Sequence, residues 1–190
     1  MKKTNQPSSK QKAFTLIEVL VAITVLMFAI VGPLTLAFRS INYTKVARDQ
    51  VVANYLAQDA LEFMIAKKVY NARAGADWLE GMGGITGCDE STESCQLETN
   101  TTLGDSSSDL SACNKDTVDG CRLYYDEAEA VYTYDSSGNV ATDFKRWVTV
   151  EKIANNIDED EARISVTIKW NTGIIPKLFK METYIYNHRI

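Results

Sequence analysis

A single carboxylate interrupts a long apolar run near the amino terminus, and this feature constrains the chain more than any other. The run from Phe14 to Phe38 spans 25 residues and contains one charged side chain, Glu18. A helix rises about 1.5 Å per residue, so this run can cross a bilayer core of about 30 Å. An ionised carboxylate within such a span costs roughly 2.5–3.5 kcal/mol. No residue of the same helix can pair with Glu18, so we expect its positive partner to come from another molecule.

The residues before the apolar run carry only positive charges, on Lys2, Lys3, Lys10 and Lys12. Basic residues favour the cytoplasmic side of a membrane, which predicts a single span with the rest of the chain outside the cytoplasm. A secretory signal has an apolar core of about 7–15 residues followed by small residues at a cleavage site. Here the run is longer and no such site follows it. A plain signal anchor is the alternative interpretation.

The rest of the chain is acidic. The sequence holds 20 Lys and Arg against 25 Asp and Glu, and leaving out the four lysines of the leader gives 16 against 25. Nucleic-acid binding needs a basic surface that neutralises phosphates, so we expect no nucleic-acid partner. The sequence offers one histidine, His188, and no nucleophile–base pair or phosphate loop at persuasive spacing. We therefore expect no enzyme, no cofactor and no metal site.

Residues 12–22 read Lys-Ala-Phe-Thr-Leu-Ile-Glu-Val-Leu-Val-Ala. This segment resembles the class III signal of type IV prepilins and type II secretion pseudopilins. The resemblance implies that a membrane peptidase removes residues 1–13 by cutting between Ala13 and Phe14 and then methylates the new amino terminus at Phe14. The family usually has glycine before the cut. Alanine is also small, so we expect cleavage to be retained.

The resemblance also implies how Glu18 is used. The new ammonium of Phe14 in one copy pairs with Glu18 of a neighbouring copy, which fixes their axial stagger as the helices bundle. The implied partners are other pilin or pseudopilin subunits, the prepilin peptidase and the inner-membrane assembly platform. The protein is expected first in the bacterial inner membrane and then in an extracellular or periplasmic filament. The alternative is an unprocessed, single-span, membrane-anchored adhesin or sensor.

Two later stretches carry a second resemblance. Residues 56–62, Leu-Ala-Gln-Asp-Ala-Leu-Glu, and residues 142–147, Thr-Asp-Phe-Lys-Arg-Trp, look like minor pilins of the pilus modification protein type. Pseudopilins of the I type are similar in the first of these stretches. The expected function is therefore that of a minor pilin or pseudopilin that enters, or initiates, a type IV pilus or type II secretion pseudopilus.

The helix is predicted in two parts, a transmembrane and filament-core part at residues 14–38 and an amphipathic continuation at residues 39–74. Gly32-Pro33 predicts a kink or local melting near Ala29, because proline removes a backbone donor and crowds the preceding turn. Such a break either accompanies assembly or is merely tolerated. In the second part, helical spacing brings one narrow apolar stripe to a single face: Val46, Ala53, Ala57, Ala60 and Met64.

Residues 75–190 are predicted to form an extracytoplasmic head, with loops at 75–121 and an antiparallel sheet at 122–190. Five segments are rich in β-branched and aromatic residues: 123–125, 130–134, 146–153, 163–170 and 178–186. We expect them to form a meander with one face on the helix. The predicted fold class is thus α+β and pilin-like, a long helix packed on a small sheet with a disulfide-bearing loop region.

Four cysteines lie in the predicted loop region: Cys88, Cys95, Cys113 and Cys121. On the oxidising side of a membrane an even count favours two disulfides. The pairing 88–95 with 113–121 closes two short loops and is preferred, and 88–121 with 95–113 remains open. A four-thiolate zinc site is disfavoured because no CxxC occurs. Asn156, Asp158 and Asp160 could bind calcium, but a solvated turn is the simpler interpretation.

Overall fold

The computed structural model describes residues 15–82, 88, 94–153 and 161–187. The chain divides into two compact units, Met1–Ala47 and Arg48–Ile190. One continuous α-helix, α1, runs over Leu16–Ala74 and contributes residues to both units, and the described residues also include a short 3-10 helix at Ser106–Ser108. The second unit combines the end of this helix with an antiparallel sheet. This is the α+β, pilin-like fold that the sequence predicts.

Local sequence explains where α1 begins and ends. Thr15 precedes the first helical residue, and its carbonyl and hydroxyl oxygens accept the Glu18 N–H at 3.1 and 3.4 Å. Threonine is a favoured residue at this capping position. At the other end Gly75 has a φ of +69°, and the Ala76 N–H donates to the Asn71 carbonyl at 3.0 Å. A left-handed glycine with this bond is the Schellman motif, which stops a helix.

The region around Pro33 stays helical. Proline lies inside α1 without an interruption of the helix on either side, so the local melting considered near Ala29 does not occur. A bend at Gly32-Pro33 stays a prediction. Both residues are exposed.

The sheet contains seven described strands. Their bounds are β1 Ser94–Gln96, β2 Ser111–Cys113, β3 Arg122–Asp126, β4 Val131–Thr133, β5 Val140–Lys152, β6 Glu161–Thr172 and β7 Ile175–Tyr186. Each of the five predicted β-segments overlaps one of β3 to β7. The sequence predicts loops at residues 75–121, whereas the structure has two short strands there, β1 and β2, of three residues each.

The strand order departs from a simple meander. β5 is central, with β6 along one side and both β3 and β1 along the other. β4 pairs with β3 alone, so the chain passes from β4 to β5 without joining them. At the end of β4 the Thr133 hydroxyl and the Tyr134 N–H both donate to Glu98 Oε2 at 2.9 Å. These bonds anchor the end of β4 to Glu98, which follows β1, and propensity along the strands contains no signal for them.

The predicted helix stripe forms the helical side of the core. Ala53, Ala57, Ala60 and Met64 have no exposed surface, whereas Val46 lies in the first unit and is half-buried. Alanine lets the helix backbone approach the sheet closely. The facing side of the sheet contributes buried aliphatic residues of β5 and β6: Val148, Val150, Ala162, Ile164, Val166 and Ile168.

Two disulfides staple the loop region. Cys88 pairs with Cys95, and Cys113 pairs with Cys121, with Cα–Cα distances of 5.5 and 5.3 Å. Cys95 lies in β1 and Cys113 ends β2, and these two strands pair with each other. Each disulfide closes a short loop, so the four sulfurs do not form a thiolate site for zinc.

Candidate functional site

The amino-terminal part of α1 presents its apolar side chains outward. An 18-residue window of the helix reaches a mean hydropathy of 2.5 with none of the window buried. Every described residue from 15 to 45 is exposed. By length and composition this helix can cross a membrane, and the described residues provide no protein surface that covers it. A hydrophobic surface of this kind needs lipid or other subunits around it.

Glu18 lies at the third position of α1, in its first turn. Together with Thr15 it has the spacing of a capping box, in which a threonine oxygen accepts the N–H three residues later. A carboxylate here also interacts favourably with the positive end of the helix dipole. The side chain is exposed beside Val19 and Ala22, and the described residues give it no basic partner. The pattern Thr-x-x-Glu could have identified this local role from the sequence.

The predicted processing site lies just before α1 in the sequence. Ala13 and Phe14, the predicted cleavage and methylation positions, lie outside the described residues. The structure therefore gives no geometry for the cleavage step, which stays a prediction.

The head contains a fully buried arginine that the sequence interpretation did not single out. Arg146 of β5 has no exposed surface. Its Nη1 donates to the Leu56 carbonyl and to Asp59 Oδ2, both at 3.2 Å, and its Nη2 donates to the Leu97 carbonyl at 2.8 Å. Its Nε donates to the Tyr134 hydroxyl at 3.1 Å. One side chain thus joins the helix, the chain after β1 and the chain after β4.

The electrostatics of this cluster keep Arg146 charged and Tyr134 neutral. Burial lowers the pKa of Arg146, but Tyr134 and Asp59 outweigh that effect and the net pKa is raised, so the guanidinium stays charged. Burial raises the pKa of Tyr134 although Arg146 opposes the shift. The neutral Tyr134 hydroxyl in turn donates to the Arg146 carbonyl at 2.9 Å.

Asp59 is the helix residue that meets this arginine. Its side chain is half exposed, and it also accepts from the Thr99 hydroxyl at 2.6 Å. Asp59 belongs to the stretch 56–62 and Arg146 to the stretch 142–147. The two segments with the second family resemblance therefore meet at this ion pair, where they fix the head on the helix.

A second set of polar contacts joins α1 to the loop region further along the helix. Lys67 is buried, and its Nζ donates to the carbonyl and hydroxyl oxygens of Ser108 at 3.0 and 2.8 Å and pairs with Asp109. One turn later the Asn71 amide donates to the Glu80 carbonyl at 2.9 Å. Both side chains bind loop backbone to the helix, which explains why polar residues continue the buried stripe beyond Met64.

The described residues contain no group of three or more His, Cys, Asp and Glu side chains placed to hold a metal ion. Asn156, Asp158, Asp160 and His188 lie outside the described residues. The calcium interpretation of that turn is therefore neither supported nor contradicted by the geometry.

Comparison with known families adds one finding. Residues 8–32 match the family described as the prokaryotic N-terminal methylation motif. The amino-terminal segment carries a type IV prepilin-like class III signal. This prepilin-like signal ends within α1 and includes Glu18, and such a motif is typical of structural subunits rather than enzymes. No curated protein and no solved structure matches the chain.

Proposed function

We propose that the chain is a minor pilin or pseudopilin, a non-enzymatic subunit that enters, or initiates, a type IV pilus or type II secretion pseudopilus. The match of residues 8–32 to the N-terminal methylation motif carries the proposal. An exposed apolar helix surface supports it, as does a head that packs on residues 53–64 of the same helix. The subunit is stored in the inner membrane with its head outside and is then drawn into the filament.

The proposed division of the chain follows from this role. Residues 1–13 are the leader that prepilin peptidase removes, and residues 14–38 form the membrane span and filament core. Residues 39–74 continue the helix, and residues 75–190 form the head. The pair Asp59–Arg146, at 3.2 Å, fixes that head on the continuing helix. The head then follows any movement of the helix on which it packs.

Glu18 is the proposed assembly residue. Cleavage frees the Phe14 ammonium, four residues before Glu18 in the sequence. This ammonium pairs with Glu18 of a neighbouring copy. Pairing removes the cost of an isolated carboxylate in an apolar environment, about 2.5–3.5 kcal/mol. Copies whose helices are out of register do not form the pair and keep the cost of the isolated carboxylate.

The capping position of Glu18 makes the choice of test variant important. Glu18→Gln removes the charge but retains a side chain suited to the capping box. Thr15→Ala removes the cap and keeps the charge, and it is the matched control. We expect Glu18→Gln to reach normal membrane levels and to be depleted from sheared filaments, while Thr15→Ala is incorporated normally. The opposite pattern would assign Glu18 to helix capping and remove the pairing from the mechanism.

The alternative function is an unprocessed membrane-anchored adhesin or sensor. The position of the mature amino terminus distinguishes it from the filament subunit. Mass spectrometry of the protein from the membrane fraction should find a chain that begins at N-methylated Phe14. An intact Met1 leader would support the anchor and contradict the filament role.

A further inference from the structure

The sequence contains two triplets in which an asparagine is followed two residues later by a threonine. They are Asn42-Tyr43-Thr44 and Asn100-Thr101-Thr102. A triplet Asn-x-Ser/Thr without proline in the middle is the acceptor pattern of N-glycosylation. The pattern is short and is common by chance, so the sequence alone does not distinguish the two. The structure places them in different surroundings.

The first triplet lies inside a helix. Asn42 has helical residues of α1 on both sides, and the Thr44 hydroxyl donates to the Ser40 carbonyl at 2.9 Å. A glycosyl transferase must bind the asparagine amide and the threonine hydroxyl together. Helical backbone, whose N–H and C=O groups are bonded within the helix, must unwind to present them in that way. Asn42 is therefore a poor acceptor in the folded chain.

The second triplet lies in the connection from β1 to β2, outside any helix or strand. Asn100 and Thr102 are exposed. Within the described part of the chain, no hydrogen bond engages the Asn100 side-chain amide or the Thr102 hydroxyl. The two groups that a transferase recognises are therefore free at the surface.

The neighbouring side chains hold this segment in place. The Thr99 hydroxyl donates to Asp59 Oδ2 at 2.6 Å, and the Thr101 hydroxyl donates to the Glu98 carbonyl at 3.2 Å. Asp59 is also the partner of Arg146. The residues on either side of Asn100 are thus anchored to the head, and the acceptor side chain itself has no structural task.

Space for a bulky group lies beside this asparagine. Asn100 borders an open groove of about 530 Å³, which Tyr55 of α1 and Tyr132 of β4 also line. All three residues belong to the second unit, and Tyr55 is 68% exposed. A saccharide attached to the Asn100 amide enters this open space without any rearrangement of the head.

We propose that Asn100 is the position at which the folded chain accepts an N-linked oligosaccharide, and that Asn42 is not. The Asn100 amide nitrogen attacks the anomeric carbon of an oligosaccharide carried on a lipid pyrophosphate. The bond from nitrogen to the anomeric carbon forms, the bond from that carbon to the pyrophosphate oxygen breaks, and the amide proton passes to solvent. The inference rests on the proposed function, because the head must lie outside the cytoplasm, where the transferase acts. The modification places a bulky, solubilising group beside the groove.

Expression of the full chain in a laboratory bacterium tests the proposal. The cells are prepared with and without a periplasmic oligosaccharyltransferase and its lipid-linked oligosaccharide. Intact mass and peptide mapping locate any added saccharide. Asn100→Gln and Thr102→Ala each remove the second triplet, and Asn42→Gln is the matched control. Alkylation of free thiols reports where the head is, because its four cysteines form two disulfides and disulfides form outside the cytoplasm.

We expect the mass of one oligosaccharide to be added, only with the transferase, to the peptide that contains Asn100. The addition should disappear in Asn100→Gln and in Thr102→Ala and be unchanged in Asn42→Gln. An addition at Asn42 overturns the assignment. Absence of any addition to a chain whose cysteines are oxidised also overturns it and leaves the proposed function standing. Absence of addition together with free thiols overturns the export of the head, on which the proposed function and the acceptor site both depend.

Discussion

Arg146 occupies a strand position at which alternation predicts an apolar side chain. Phe144, Val148 and Val150 share its side of β5, and all three are buried with it. A charged residue at a core-facing position of an alternating strand is the sequence signal that could have revealed the cluster. Its partners could not have been deduced, because Leu56 and Leu97 supply backbone carbonyls and any residue has those.

The buried arginine should dominate the stability of the head. Arg146→Ala removes the bonds that Arg146 donates to two backbone carbonyls, Asp59 and Tyr134, so we expect the free energy of unfolding to fall by about 3–5 kcal/mol. Arg122→Ala is the control, since Arg122 pairs with the exposed Asp119, and it should cost about 0–1 kcal/mol. Urea unfolding of the detergent-solubilised chain measures both. Equal losses would show that burial of Arg146 has no special role.

Titration of Tyr134 should lower the free energy of unfolding at alkaline pH. Its pKa is raised in the folded protein, so its contribution is fully present below about pH 10, the usual tyrosine pKa, and is lost as the pH rises through the higher folded value. Tyr134→Phe removes the titrating group. The difference in unfolding free energy between the two proteins should therefore narrow above about pH 10. Parallel pH profiles would contradict this assignment.

At the scale of elements, periodicity predicts the helix stripe and β3 to β7 because both depend on regular spacing of apolar residues. It does not predict β1 and β2, which are three residues each and are held by pairing with each other and with β5. Lys67 and Asn71 are likewise missed. Their burial follows from the loop that closes over the helix, and helix spacing carries no information about that loop.

The loop closed by Cys113 and Cys121 offers a test of packing at this scale. A Cβ at Gly120 would lie 1.6 Å from the Asn114 carbonyl oxygen, whereas a Cβ at Gly138 meets nothing within 4 Å. We expect Gly120→Ala to destabilise by about 2–3 kcal/mol, since backbone within a closed loop must move. Gly138→Ala should destabilise by about 1 kcal/mol, because the φ of +78° at this position is unfavourable for alanine. Equal effects in thermal unfolding would contradict the close packing.

At the scale of the molecule, every buried core residue among those described lies at position 53 or later. We therefore expect a fragment of residues 39–190 to remain folded and to stay in solution without detergent. Its far-ultraviolet circular dichroism should show helix and strand, and its unfolding should be cooperative. The full chain, tested beside it, should require detergent. An unfolded fragment would show that the apolar span contributes to the stability of the head.

The exposed apolar surface of α1 has a consequence for the direction of movement. Lipid tails are about as apolar as the leucine and valine side chains of a neighbouring helix, so exchange of one for the other releases little hydrophobic free energy. In the proposed role, leaving the bilayer and returning to it are then nearly balanced. In that role the thermodynamic bias comes from the proposed pairing of the Phe14 ammonium with Glu18, one pair per subunit. Such a fibre can be dismantled into the same membrane that supplied it.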